Sequence, residues 1–152
     1  MVKGYFISGF NHVYNYKDYS IKKEKMRLTK NFIKSEFDCH CGCEMPNEVL
    51  YSVQKVANQL QLLRSHTGKS ITVNSAYRCQ EHNTAIGSNN TSQHILGKAA
   101  DITIKGYTPD ETSLLIKSFI EEGKILQGGV GMYNTFTHYD IRKTKARWNN
   151  KS

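Results

Sequence analysis

The sequence has no long apolar run. Hydrophobic residues make up 38% of its 152 positions, and no stretch approaches the roughly 20 apolar residues that a bilayer-spanning helix needs. A membrane anchor is therefore not expected. The N-terminus, Met1-Val2-Lys3-Gly4-Tyr5-Phe6-Ile7-Ser8-Gly9-Phe10, reads as a poor export signal, because Gly4, Ser8 and Gly9 interrupt its apolar residues before Asn11 and His12. Internal repeats and low-complexity segments are also lacking, and the length leaves little room for a second catalytic domain. The expectation is one domain, with an N-terminal arm or edge strands over residues 1–30 and the folded body over residues 31–152.

Acidic residues are scarce. Thirteen Asp and Glu stand against 21 Lys and Arg, a net charge of +8. That balance favours association with something anionic, and both nucleic acid and a bacterial cell wall qualify. The basic residues are dispersed or sit in short groups, Lys22-Lys23 with Lys25 and Arg27, then Arg142-Lys143 with Lys145 and Arg147. No nucleic-acid reader motif accompanies them. A solvated surface is the first reading of this charge and wall adhesion the second; no nucleic-acid partner is expected.

What is present is clear periodicity. After Pro46-Asn47-Glu48, the residues Val49, Leu50, Val53, Val56, Ala57, Leu60 and Leu63 recur at spacings of three and four, which predicts an amphipathic helix ending near Thr67-Gly68. Ile71 to Ala76 is a β-branched strand, Arg78 to Ile86 a helix, Gly87 to Ser92 a polar loop, and Ala99 to Ile104 a second strand. Thr108-Pro109-Asp110-Glu111 combines a capping box with proline at the first helical position, so a second long helix runs to about Gly123. Gly128 to Tyr133 and Phe136 to Arg142 read as a β-hairpin. A strand follows these glycines, so they lack the helix N-terminus that a phosphate loop requires.

Among chemistry-bearing residues, His94 and Asp101 stand seven apart, a spacing expected by chance with 6 His and 13 acids. The context is more demanding, because Asp101 lies in a strand whose other face presents Ala100, Ile102 and Ile104, and a carboxylate there needs a partner. A lysine or a capped loop would serve. His138 shifts the balance: it shares a strand face with Asp140, flanked by Phe136 and Arg142. Two imidazoles and one carboxylate make a three-ligand shell with a fourth position open, the arrangement of catalytic rather than structural zinc.

Cys39-His40-Cys41-Gly42-Cys43 packs three thiols into five residues, and Cys79 follows Arg78 directly. Four sulfurs are compatible with a structural zinc site, two disulfides, or one disulfide with free thiols. The spacing is not the paired C-x-x-C of common zinc ribbons. Alternate cysteines on an extended segment share a face, from which they can meet Cys79 in some structural role.

The string Ser92-Gln93-His94-Ile95-Leu96-Gly97-Lys98-Ala99-Ala100-Asp101 resembles the S-x-H-x-x-G-x-A-x-D signature of the D-alanyl-D-alanine metallopeptidases. That group includes DD-carboxypeptidases, murein endopeptidases and phage endolysins, and shares its zinc fold with hedgehog signalling domains. Ser75-Ala76-Tyr77-Arg78, Gly128-Gly129-Val130-Gly131 to Tyr133, Phe136-Thr137-His138-Tyr139-Asp140 and Arg147-Trp148 also match, so the resemblance spans residues 30–148. It implies an α+β fold with a small, mainly antiparallel sheet and two main helices. It makes His94, Asp101 and His138 the ligands of one Zn2+, Arg78 a substrate-binding or carbonyl-polarising group, and Ser92 a substrate contact or a loop cap.

The implied activity is metal-assisted hydrolysis of peptidoglycan stem-peptide or cross-link bonds. Many relatives carry Glu, Asp or His two or three residues before the last ligand, where this chain has Phe136 and Thr135. Neither takes a proton from water. Asp140 is the nearest acid, either as proton acceptor or as a residue orienting an imidazole. The alternative function is a non-catalytic, zinc-bearing wall-binding module. Localisation is open: a wall target requires release or delivery, as in a phage- or prophage-like role, and otherwise the chain is cytoplasmic.

Overall fold

Residues 26–152 are described by the computed structural model, so most of the expected N-terminal arm lies outside the described residues. The chain first makes a 3-10 turn at Lys34–Phe37, then helix α1 at Asn47–Thr67. Strand β1 (Ile71–Ser75) leads to the short helix α2 (Gln80–Ala85), then to strand β2 (Ala99–Ile104) and helix α3 (Pro109–Glu121). Strands β3 (Gly129–Met132), β4 (Thr137–Asp140) and β5 (Ala146–Asn149) complete the fold. The sheet order is β1-β2-β4-β3-β5, antiparallel throughout except for the parallel pairing of β3 with β5. This is the expected α+β architecture.

Local chemistry sets the helix limits. Gly68 adopts φ 63° and donates its N–H to the Arg64 carbonyl, closing α1 where an L side chain would be strained. At α3 the Thr108 hydroxyl accepts from the Glu111 amide at 3.2 Å while the Glu111 carboxylate accepts from the Thr108 amide at 2.7 Å. This is the reciprocal cap read from the sequence.

Val53, Val56, Ala57, Leu60 and Leu63 of α1 share one core with Ile116, Phe119 and Ile120 of α3 and with Ala100, Ile102, Ile104, Val130 and Tyr139 of the sheet. Each fully buried Val, Leu, Ile or Phe among them contributes about 1.5–3 kcal/mol before chain entropy is counted. The start of the described chain is tied to the same helix, with Leu28 buried in the core and its carbonyl accepting from Gln54 Nε2 at 2.6 Å. Among the described residues no helix is long and apolar enough to cross a membrane.

Two elements depart from expectation. Strand β5 is only 4 residues long, too short for its alternation to mark a strand, and it forms along the free edge of β3, with Gly131 opposite Trp148. The helix expected from Arg78 begins only at Gln80, since Arg78 and Cys79 are held in an extended turn by contacts to other segments.

Candidate metal centre

One residue from each strand forms a single row across the sheet. Ser75 pairs with Asp101, Asp101 with His138, His138 with Gly131, and Gly131 with Trp148. Directly paired residues on neighbouring strands project from the same face. Sheet register alone therefore sets Asp101 beside His138. An irregularity between Val73 and Ser75 inserts one residue, so that Ser75 rather than Asn74 faces Asp101. The third group, His94, arrives from the loop before β2, where its amide is capped by the Ser92 hydroxyl at 3.3 Å and its carbonyl accepts from the Arg78 amide at 3.2 Å.

Three side-chain atoms converge at the cleft floor. His94 Nε2 lies 3.2 Å from His138 Nδ1 and 3.2 Å from Asp101 Oδ1, and His138 Nδ1 lies 2.9 Å from the same oxygen. All three residues are buried. The far atom of each has its own partner. His94 Nδ1 donates to the Ala76 carbonyl at 2.6 Å, His138 Nε2 donates to Asp140 Oδ2 at 2.8 Å, and Asp101 Oδ2 accepts from Arg78 Nη2 at 2.8 Å.

Because the carbonyl of Ala76 can only accept, the proton of His94 sits on Nδ1 and the lone pair of Nε2 faces inward. Asp140 fixes the proton of His138 on Nε2 in the same way. Two nitrogen lone pairs and a carboxylate oxygen then meet at one point, which only a cation satisfies. Zinc bonds of about 2.0–2.1 Å place tetrahedral ligands about 3.3 Å apart, close to the spacing of these three atoms. The donor set fits zinc.

Electrostatics agree with that fit. Burial opposes charge on Asp101, but its pairing with the His138 and His94 imidazoles outweighs it and holds the carboxyl well below the usual carboxylate range. Burial likewise disfavours the His138 cation, and the carboxylates of Asp101 and Asp140 overcome that and raise its pKa. The pocket thus already favours positive charge between its carboxylates.

The family model described as Peptidase M15 matches residues 26–140, which contain all three of these residues. The chain belongs to the M15 peptidases. A comparison with curated proteins finds no match. The M15 peptidases are zinc metallopeptidases, and this member holds a His94-Asp101-His138 site suited to one ion.

Around the site of this M15 peptidase, the other residues singled out in the sequence take definite places. Arg78 donates Nε to the Ser75 hydroxyl at 3.0 Å as well as Nη2 to Asp101, so it is an integral part of the site rather than a surface arginine. Asp140 is fully buried. Its Oδ1 accepts from the Gly129 amide at 2.9 Å, its Oδ2 from His138, and Arg142 binds both oxygens through Nε and Nη2. These contacts lie on the side of the His138 ring away from Asp101. Of the two roles left open for Asp140, these contacts provide for orienting the imidazole, with both carboxylate oxygens engaged behind the ring.

The cleft above the ligands has a volume of about 850 Å³ and is lined by Arg78, Ser92, Arg142 and several amide and hydroxyl side chains. Its aromatic wall was not anticipated. Tyr133 and Phe136 stack at 4.4 Å, the Trp148 ring lies 5.0 Å from that of His138, and Trp148 Nε1 donates to the Tyr133 hydroxyl at 3.1 Å. The glycine run before this wall has a steric purpose. A Cβ on Gly129 would stand 2.3 Å from Asp140 Oδ2, and one on Gly131 would stand 2.2 Å from Trp148 Cε2.

Proposed function

We propose that this M15 peptidase hydrolyses peptide bonds of bacterial peptidoglycan, trimming the stem peptide or cutting its cross-links outside the cytoplasm after release or delivery. The observation that carries the proposal is the convergence of His94, Asp101 and His138 at the floor of an open cleft that also presents two guanidinium groups. Peptides with free carboxylates suit such a cleft, because a guanidinium fork matches a carboxylate.

When bound, zinc supplies a Lewis acid that polarises a carbonyl and lowers the pKa of a water to about 7. The chain's own groups then do the following. Arg78, anchored by Ser75 and Asp101, turns Nη1 to the substrate carboxylate or to charge developing on the scissile carbonyl oxygen. Ser92 fixes the backbone of His94 at the cleft edge. Asp140 keeps the proton of His138 on Nε2, leaving Nδ1 free to bind the ion. Tyr133, Phe136 and Trp148 wall off one side of the cleft.

A second reading, a zinc-bearing wall-binding module without turnover, draws on one observation. Asp101, a metal ligand, is the sole acidic residue among those lining the cleft in the described residues. One experiment separates the two. Purified peptidoglycan is incubated with native, chelator-stripped and zinc-restored protein, and the soluble products are analysed by mass spectrometry. Free D-alanine marks terminal trimming, and new amino groups on unlinked peptides mark cross-link cleavage; both should vanish on stripping and return with zinc. Wall binding with zinc but without products from any wall type would establish the second reading.

A further inference from the structure

The four cysteines take no part in the cleft, and the M15 peptidase assignment gives them no task. They nevertheless come together from distant parts of the chain. Cys39 Sγ lies 3.3 Å from Cys41 Sγ and 3.9 Å from Cys79 Sγ, and Cys41 Sγ lies 3.5 Å from Cys79 Sγ. With Cys43 included, all four sulfurs fall within 4.8 Å of one another. All are free thiols.

We propose that Cys39, Cys41, Cys43 and Cys79 bind a second, structural zinc ion that fastens the segment before α1 to the turn carrying Arg78. Four thiolates at about 2.3 Å from zinc stand about 3.8 Å apart at the corners of a tetrahedron, and the observed separations bracket that value. Disulfides join sulfurs in pairs at about 2.0 Å. Here Cys41 sits almost equally near Cys39 and Cys79, so the cluster expresses no pairing preference.

The backbone is also arranged for sulfur as an acceptor. The Cys79 amide donates to Cys39 Sγ at 3.4 Å and the His82 amide to Cys79 Sγ at 3.4 Å. Such donors stabilise thiolates in metal sites. Gly42, at φ 81° with its amide bonded to the Cys39 carbonyl at 3.0 Å, closes the turn that lets Cys39, Cys41 and Cys43 face one point. Binding releases the thiol protons to solvent and involves no change in oxidation state.

The placement gives the ion a definite mechanical role. Cys79 adjoins Arg78, whose guanidinium holds Asp101, and the Tyr77 amide donates to the Phe37 carbonyl at 3.1 Å from the same segment. A closed four-sulfur site there fixes the Arg78 turn without entering the cleft. It also explains why the turn stays extended until Gln80.

The test is metal stoichiometry on the full chain, purified with a thiol reductant and no chelator. Native protein should carry two zinc ions. His138→Ala should keep one, and after cobalt exchange that one should show thiolate-to-metal charge-transfer absorption. Cys41→Ser, at the exposed member of the set, should lose the sulfur-held ion and the charge-transfer band and unfold at lower temperature. One zinc per native chain with all four thiols alkylated in the folded protein would overturn the proposal. A disulfide among the four in unreduced native protein would do the same, and neither result depends on a variant folding. Iron in place of the second zinc would overturn the metal assigned.

Discussion

His138 carries a carboxylate at each ring nitrogen, Asp101 at Nδ1 and Asp140 at Nε2. The period-two geometry of a strand made Asp140 legible as a neighbour of His138. Which nitrogen it meets was not legible, because that depends on the close approach of Gly129, whose missing Cβ admits the Asp140 carboxylate, a contact that local spacing does not encode. Asp140→Asn keeps the shape and removes the charge that fixes the His138 tautomer. It should weaken zinc binding about 10- to 100-fold, the usual cost of losing such a partner. Chelator competition measures this, and excess zinc should restore hydrolysis. Activity still absent at saturating zinc would return Asp140 to the role of proton acceptor.

The row of Ser75, Asp101, His138, Gly131 and Trp148 shows how strands make a site. The limits and caps of the two long helices were legible in the sequence because Gly68, Thr108 and Glu111 act within a few residues of themselves. The inserted residue in β1 and the docking of β5 were not, since both are settled by partners far along the chain. Gly131→Ala tests the row at its narrowest point. The added methyl group would meet the Trp148 ring, and overpacking of this kind costs about 1–3 kcal/mol. Trp148 is the sole tryptophan, so urea unfolding followed by its fluorescence reads both the loss and the changed ring environment. An unchanged midpoint with unchanged emission would show that the ring does not rest on Gly131.

At the scale of the whole molecule, the helices and the sheet face bearing Ala100, Ile102 and Tyr139 form the core, while the row of ligands occupies the opposite face. The matched family region ends at residue 140, yet β5 lies beyond it and supplies Trp148 to the cleft. The zinc triad was legible because three ligands of the right type sat in a specific ten-residue string and a single strand. The aromatic wall was not, because ordinary core packing uses the same residue types. The net charge of +8 accords with an anionic wall and decides nothing about the bond cut. One ion held by His94, Asp101 and His138 is the centre of the proposed chemistry. The most direct measurement compares zinc per chain and peptidoglycan hydrolysis for native protein and His94→Ala, with circular dichroism confirming the fold. Loss of one zinc together with all hydrolysis is the predicted result; full zinc content, or hydrolysis at the native rate, would contradict it.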